Sequence, residues 1–305
     1  MGSLIRPLLL TFCSLLLSVP STTYALVSNQ PVSSLLQKHA EHIAELKSIT
    51  TEEVGSIASE PYSNDVFYLR YCLEYGDDKE ASKEILLKNL AWRQGETGKK
   101  IASAALEAVT KATGGGSWNN EPVLGAAPFT EKVSKYLSDH CITTTTSQGD
   151  LLYCIRAGQI DDVGLMGSLT VDQMKDFFLY VKEVNALVSQ QRSLDSDKLV
   201  SIVTANDLKG VKLVGGSADF RKALSASSKE SDTLYPATNG PTLLLNLPRI
   251  LSALVKLFTP LFPESVKARL RFEQGPLSDI TSLSEVAKSG EKRDIFLSQI
   301  DKLIY

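Results

Sequence analysis

Side chains able to do covalent or metal chemistry are few here and poorly grouped. The chain holds 3 histidines and 4 cysteines. His39 and His42 stand three apart, a spacing that puts both on one face of a helix, where they could share a metal ion. No third ligand falls at a matching offset, so they are expected to be solvated helix residues. Cys13, Cys72, Cys141 and Cys154 contain no CxxC pair for zinc or redox work, and Cys13 belongs to an N-terminal apolar run. The remaining cysteines are expected as small buried apolar residues. There is no GxSxG elbow and no GxxxxGK[ST] phosphate loop. Gly114-Gly115-Gly116 does not join a strand to a helix and reads as a linker. Asp161-Asp162 lies between Gly158 and Gly164, where a turn is the simpler account. No catalytic residue, metal site or cofactor is expected, and an enzyme is disfavoured.

The elements that carry these residues fall into two kinds. Val32, Leu35, Leu36, Ile43 and Leu46 recur at helical spacing, with Lys38, Glu41 and Glu45 between them. Asn64 or Asp65 caps a helix through Cys72, which Gly76 ends. Asp77-Asp78 starts another helix to Trp92, and a third runs from Glu96 to Ala112. Gly114 to Ala127, with Pro122, reads as a loop. Beyond it, Thr130 to Ser138 is a short helix. Cys141 to Thr146 and Leu151 to Ile155 are strands parted by Ser147-Gln148-Gly149-Asp150. Thr170 caps a long helix through Val188. Strands at Leu199–Thr204, Thr242–Asn246 and Ala268–Phe272 alternate with helices at Ala218–Ser228 and Ile250–Phe258. Alternation of this kind implies an α/β domain with parallel pairing. The expected organisation is a helical N-terminal region over 26–113, a linker over 114–128 and an α/β domain over 129–305.

Composition narrows the function. The 305 residues are 43 % hydrophobic and 22 % charged, enough apolar content for a sizeable core. A formal net charge of -3 provides no basic field for nucleic-acid phosphates. A membrane surface would have to be met by a local patch.

Six segments, in order, resemble the CRAL-TRIO lipid-binding family, especially its phosphatidylinositol/phosphatidylcholine transfer proteins. FYLRYCL (Phe67 to Leu73) with NLAWR (Asn89 to Arg93) resembles the family's N-terminal helical cap. GDLLYCIRAGQID (Gly149 to Asp161) resembles the strand and turn that open the lipid domain. LTVDQMKDFFLYVKEVN (Leu169 to Asn185) resembles the long helix that follows. SIVTANDLKGVKL (Ser201 to Leu213) holds the family's DLKG after a strand. LYPATNGPTLLLNLP (Leu234 to Pro248) and KLFTPLFPESVKARLRF (Lys256 to Phe272) match two later family segments. The family's glycine-rich ending is absent, and the last thirty or so residues match poorly. The resemblance implies a helical cap followed by an α/β domain with a mostly parallel sheet and an apolar lipid pocket. It further implies a monomer that carries a lipid or other hydrophobic small molecule and meets membranes transiently. A regulatory protein using the same scaffold without lipid transfer is the alternative.

The resemblance places lipid-binding roles on Tyr153, Thr204, Tyr235 and Arg269. Each of Tyr153, Thr204 and Arg269 also fits a packing or solvent-facing role. Ala237 replaces the glutamate with which family members read inositol, whereas Arg269 keeps a cation for a phosphate. Ile250, Leu251, Leu254, Val255, Leu257 and Phe258 match the family's gating helix. From Pro248 to Pro263 the segment is apolar almost all round, with prolines at both ends as hinges. An ordinary core helix has the same pattern.

At the N-terminus, Arg6 precedes an apolar stretch from Leu8 to Val19, and Thr23-Tyr24-Ala25 places small residues two apart. This is the pattern of a secretory signal over residues 1–25, with an apolar run shorter than the ~20 residues that span a bilayer. Entry to the ER is expected, and the acid-free stretch Leu26 to Ser34 allows onward delivery to a plastid. N-terminal sequencing of protein from its native host is expected to begin at Leu26. An intact Met1 in a membrane pellet would instead identify an uncleaved anchor.

Overall fold

The computed structural model describes residues 30–54, 62–114, 118–137, 142–211, 216–249, 267, 270–287 and 289–305. The N-terminal region is helical: α1 (Val32–Lys38), α2 (Ala40–Val54), α3 (Asp65–Tyr75), α4 (Lys79–Gln94) and α5 (Glu96–Thr113). Asn64 caps α3, its side chain accepting from the Phe67 amide at 3.0 Å. Asp78 does the same for α4 through Ala81, also at 3.0 Å. Every residue of α3 from Val66 to Leu73 is buried, as expected of a helix that is apolar nearly all round. Gly76 stops it with φ at 56°, a left-handed value that suits glycine.

Two expectations about this region are corrected. His39 caps the end of α1 and is half-buried, so the two histidines straddle a junction between helices. His42 is buried rather than solvated, with Nε2 2.9 Å from Ser82 Oγ. The linker over 114–128 contains a short helix, α6 (Glu121–Ala126). Pro122 falls in its first turn, where no amide is needed, and Val123 is buried.

The second half alternates helices and strands: α7 (Thr130–Val133), β1 (Ile142–Thr145), β2 (Leu151–Ile155), α8 (Asp162–Ser168), α9 (Val171–Ser196), β3 (Ile202–Asp207), α10 (Ala218–Leu234), β4 (Asn239–Leu245), β5 (Leu270–Glu273), α11 (Ser284–Ala287) and α12 (Glu291–Ile304). One sheet orders the strands β1-β2-β3-β4-β5. Among the described strands only the β1–β2 pair is antiparallel. Asp161 does more than turn the chain: its carboxylate caps α8, accepting from the Gly164 amide at 2.9 Å. Asp162 accepts from the Ser217 amide at 2.6 Å and so ties α8 to the start of α10.

The 26-residue α9 is the spine. Thr170 and Gln173 form a reciprocal capping box at its start. It overruns the expected end at Val188 because no breaker intervenes before Asp197, which takes a left-handed φ of 52°. Helices α5, α9 and α10 share one apolar core with Leu151 and Ile202 from one face of the sheet. Leu152, Cys154, Val203, Ala205, Leu243 and Leu245 occupy the other face, against Leu283, Val286, Phe296 and Ile300 of the C-terminal segment. The last thirty residues therefore close one side of the sheet.

Lys182 of α9 sends its ammonium under α10 and donates to Ser231 Oγ at 2.6 Å. Enclosure pushes its pKa down to about 8, with Asp232 opposing the shift. The folded chain thus loses this proton at lower pH than the unfolded chain. Between about pH 8 and ~10.5 the unfolded state binds more protons, and stability from this group rises with pH. Lys182→Met is expected to raise the melting temperature at pH 7 and to lose much of that advantage by about pH 10.5. A difference that stays constant with pH would contradict this account.

Candidate functional site

Side chains alternate across a strand, so the register decides which residues share a face. Tyr153 of β2 stands beside Thr204 of β3. Thr204 stands beside Thr242 of β4, and Thr242 beside Leu270 of β5. Adjacent members of this row lie about 4.8 Å apart, the normal strand spacing. Tyr153, Thr204 and Thr242 are half-buried. The next row along the same face is Ile155, Asn206, Leu244 and Phe272. Phe272 is 38 % exposed. No carboxylate, ammonium or guanidinium belongs to this face of the described strands. The strands themselves offer an apolar floor with a short hydroxyl row, and Arg192 of α9 reaches its edge, donating to Thr145 Oγ1 at 2.8 Å.

The turns at the carboxyl ends of β2 and β3 hold the floor in place. In the DLKG turn the Asp207 carboxylate accepts from the Lys209 amide at 3.1 Å and from Asn246 Nδ2 at 3.0 Å. Gly210 completes the turn with φ at 86°. Gly158 lies against this turn so closely that a Cβ there would sit 2.0 Å from the Lys209 carbonyl oxygen. Arg156 donates from Nη1 to the Thr281 carbonyl at 2.8 Å and from Nη2 to that of Ile280. Its Nε is 3.8 Å from Asp207 Oδ2. The motif is thus an anchor for the C-terminal segment and orders the sheet's end.

Of the residues expected to bind lipid, Tyr153 and Thr204 are brought together on the floor. Tyr235 belongs to a different set of contacts. It is buried at the end of α10, and its hydroxyl donates to the Leu179 carbonyl at 3.3 Å. Burial raises its pKa well above the usual tyrosine value, so it remains a neutral donor. Ala237 is likewise buried between the N-terminal helices and the α/β domain. Its amide donates to Glu74 Oε2 at 2.9 Å, and its carbonyl accepts from Arg70 Nη1. Arg269 and the gating-helix residues Ile250, Leu251, Leu254, Val255, Leu257 and Phe258 lie outside the described residues. Asn206 and Thr242 were not singled out from the sequence. The available signal was a polar residue at an inward position of an otherwise apolar parallel strand.

Tyr235 adjoins a polar knot. Arg93 and Glu183 form an ion pair at 2.7 Å, with side chains 8 % and 1 % exposed. Tyr62 donates to Glu183 Oε1 at 2.6 Å and its ring lies 3.9 Å from the Arg93 guanidinium. Arg93 Nε donates to Asn89 Oδ1 at 2.7 Å, and Asn89 Nδ2 donates to Tyr71 Oη and the Leu234 carbonyl. Burial disfavours the Arg93 charge, but Glu183, Tyr62 and Tyr235 together outweigh it and raise the pKa. The cavity among these groups measures about 20 Å³, room for about one water rather than a lipid.

Neither a family model nor a curated protein matches the chain. The crystal structure of Sfh5, a Sec14-family protein, does match in three dimensions. It has a TM-score of 0.50 at 14 % identity, over 88 % of this chain and 98 % of that one. The fold is that of the CRAL-TRIO proteins. At this identity the likeness speaks for the fold alone. The CRAL-TRIO frame here comprises the helical cap, the mostly parallel sheet and the long α9 between them.

Removing one partner of the buried pair should be costly. Glu183→Ala is expected to lower stability by ~3–5 kcal/mol, because Arg93 is left as an uncompensated buried charge. The double variant Arg93→Met, Glu183→Leu should recover most of that loss. Urea denaturation monitored by circular dichroism measures both, and equal loss in the two variants would contradict the ion-pair account.

Proposed function

We propose that this protein binds a lipid or similarly hydrophobic molecule over the half-buried face of its sheet and carries or presents it across water. The observation that carries the reading is the unequal treatment of the two sheet faces within a CRAL-TRIO fold. One face is sealed by the C-terminal helices, whereas the other keeps Tyr153, Ile155, Thr204, Thr242 and Phe272 only partly covered. A two-chain lipid has on the order of thirty methylenes, each worth ~0.8 kcal/mol when removed from water. An apolar pocket therefore competes with a membrane for it, and the crossing needs a movable apolar door. In this reading Ile250, Leu251, Leu254, Val255, Leu257 and Phe258 form that door, and Arg269 meets a phosphate where one is present. Ala237 leaves no carboxylate to read inositol at the position the resemblance assigns to it. Secretory entry through residues 1–25 completes the proposal.

Native mass spectrometry of the purified protein is expected to show a retained lipid-sized ligand. Leu254→Asp should slow transfer between vesicles at least several-fold while the cooperative melt survives, since a charge cannot enter the acyl region without a desolvation penalty. A chain that is empty and takes no lipid from vesicles would overturn the proposal in favour of a regulatory scaffold.

A further inference from the structure

We infer that the helical cap carries an acid-sensitive joint, in which protonation of His42 loosens α2 from α3 and α4. This goes beyond the lipid-binding reading and holds whatever the ligand is. His42 lies in the first turn of α2 and is only 7 % exposed. Its Nε2 is 2.9 Å from Ser82 Oγ of α4. Ser82 is fully buried and donates its one hydroxyl proton to the Lys79 carbonyl at 2.8 Å. The Ser82 oxygen can therefore only accept from His42, which places the imidazole hydrogen on Nε2. Neutral His42 thus ties α2 to α4 by a directional bond, and a second proton must go to Nδ1. Around this bond Ile43 and Leu46 share an apolar cluster with Leu69 of α3 and Leu86 of α4. The start of α1 is pinned elsewhere, Ser33 donating to the Asp197 carboxylate.

The charges around His42 decide what protonation does. Lys79 faces it from α4, and His39, with Lys38 beside it, from the end of α1. Lys79 repels an imidazolium, and His39 becomes a second one under the same conditions. The carboxylates of this joint are Glu45 of α2 and Asp77 of the turn before α4. Glu45 is already paired with Lys79 at 2.7 Å, with Glu41 and Lys83 adjoining that pair. From α3 comes Cys72, whose thiol burial pushes up to about 12, so it stays neutral. Removal from water, and then Lys79, lower the His42 pKa against the opposing pull of Glu45. Burial, Lys38 and His42 lower that of His39 against Asp77. A histidine released to solvent takes its proton near pH ~6.5, and the packed one takes it at lower pH. Below about pH 6.5 the open joint therefore binds more protons than the closed one, and the joint weakens as pH falls. Opening is local, because α3 remains fixed to Ser189 of α9 through Arg70.

The test is hydrogen exchange of the full chain, read by mass spectrometry at about pH 7.5 and about pH 5.5 and corrected for the intrinsic exchange rate. Protection over α2 is expected to fall about fivefold at the lower pH while α9 is unchanged, a fall of about tenfold being the ceiling for one histidine. His42→Gln keeps a nitrogen donor for Ser82 and does not titrate, so its α2 should be equally protected at both values. His39→Gln should keep most of the fall. No fall in wild type, the same fall in His42→Gln, or an equal fall across α9 would overturn the inference. So would a fall that His39→Gln abolishes and His42→Gln does not. If His42→Gln does not fold, the titration of the His42 ring proton in wild type decides by nuclear magnetic resonance. A midpoint below about 6.5 is expected, and one at or above it overturns the inference.

Discussion

Two charges buried between the helical cap and α9 set the geometry of this molecule. Arg93 and Glu183 are both almost without solvent, so each depends on the other and on every neighbour that completes its hydrogen bonds. Those neighbours come from the segment before α3, from α3 and α4, and from the end of α10: Tyr62, Tyr71, Asn89 and the Leu234 carbonyl. A second buried cation repeats the device one helix away. Arg70 of α3 donates to the carbonyls of Ala237 and Val200 and to Ser189 Oγ of α9. Apolar contacts would tolerate sliding of the cap over α9. These directional bonds do not, because a shift would strand a buried charge. The cap is thereby fixed to the strands that begin at Ile202 and Asn239.

With α9 immobilised, the sheet it supports becomes a two-sided object with different environments. The C-terminal helices bury the face bearing Val203, Ala205, Leu243 and Leu245. Arg156 fastens that segment at one end through the Ile280 and Thr281 carbonyls. At the other end Tyr305 Oη donates to Asp150 Oδ2 at 2.6 Å, and Lys198 donates to the same oxygen at 2.8 Å. Both ends of the closing segment are thus tied to the strands it covers. The opposite face packs against α5, α9 and α10 through Leu151, Ile202 and the partly buried Tyr153. Farther along that face Tyr153, Ile155, Thr204 and Thr242 are half-buried and Phe272 is exposed, whereas Asn206 and Leu244 between them are buried.

Much of this plan was legible in the residues. The cap at Thr170 was readable outright, and those at Asn64 and Asp78 to within one residue, because their side chains act on amides two or three residues away. The alternation of strands and helices identified the α/β domain, and β2 was located to the residue by apolar content between turn signals. What failed was non-local. The apolar run from Leu199 did not reveal that pairing begins at Ile202, because register with β2 decides that. His42 looked solvated because its partner Ser82 is forty residues away. The C-terminal segment matched no motif, yet it seals a whole sheet face through apolar contacts that many sequences can make. Tyr235 stands in a recognisable motif, but its partner on α9 and the adjoining ion pair are visible only in three dimensions. Asn206 and Thr242 carried a weak local signal, polarity in a parallel strand, whose meaning depends on which face is sealed.

The same polar knot also constrains how a ligand could reach the sheet. Passage between the cap and α9 would require breaking the Arg93–Glu183 pair and exposing Arg70, and the space among them holds only about one water. Passage from the C-terminal side would require peeling away Phe296 and Ile300, which are fully buried. Both routes disrupt the folded core. Among the described residues, the carboxyl ends of β2, β3 and β4, beyond the DLKG turn and Asn246, carry neither the buried ion pair nor the C-terminal apolar layer.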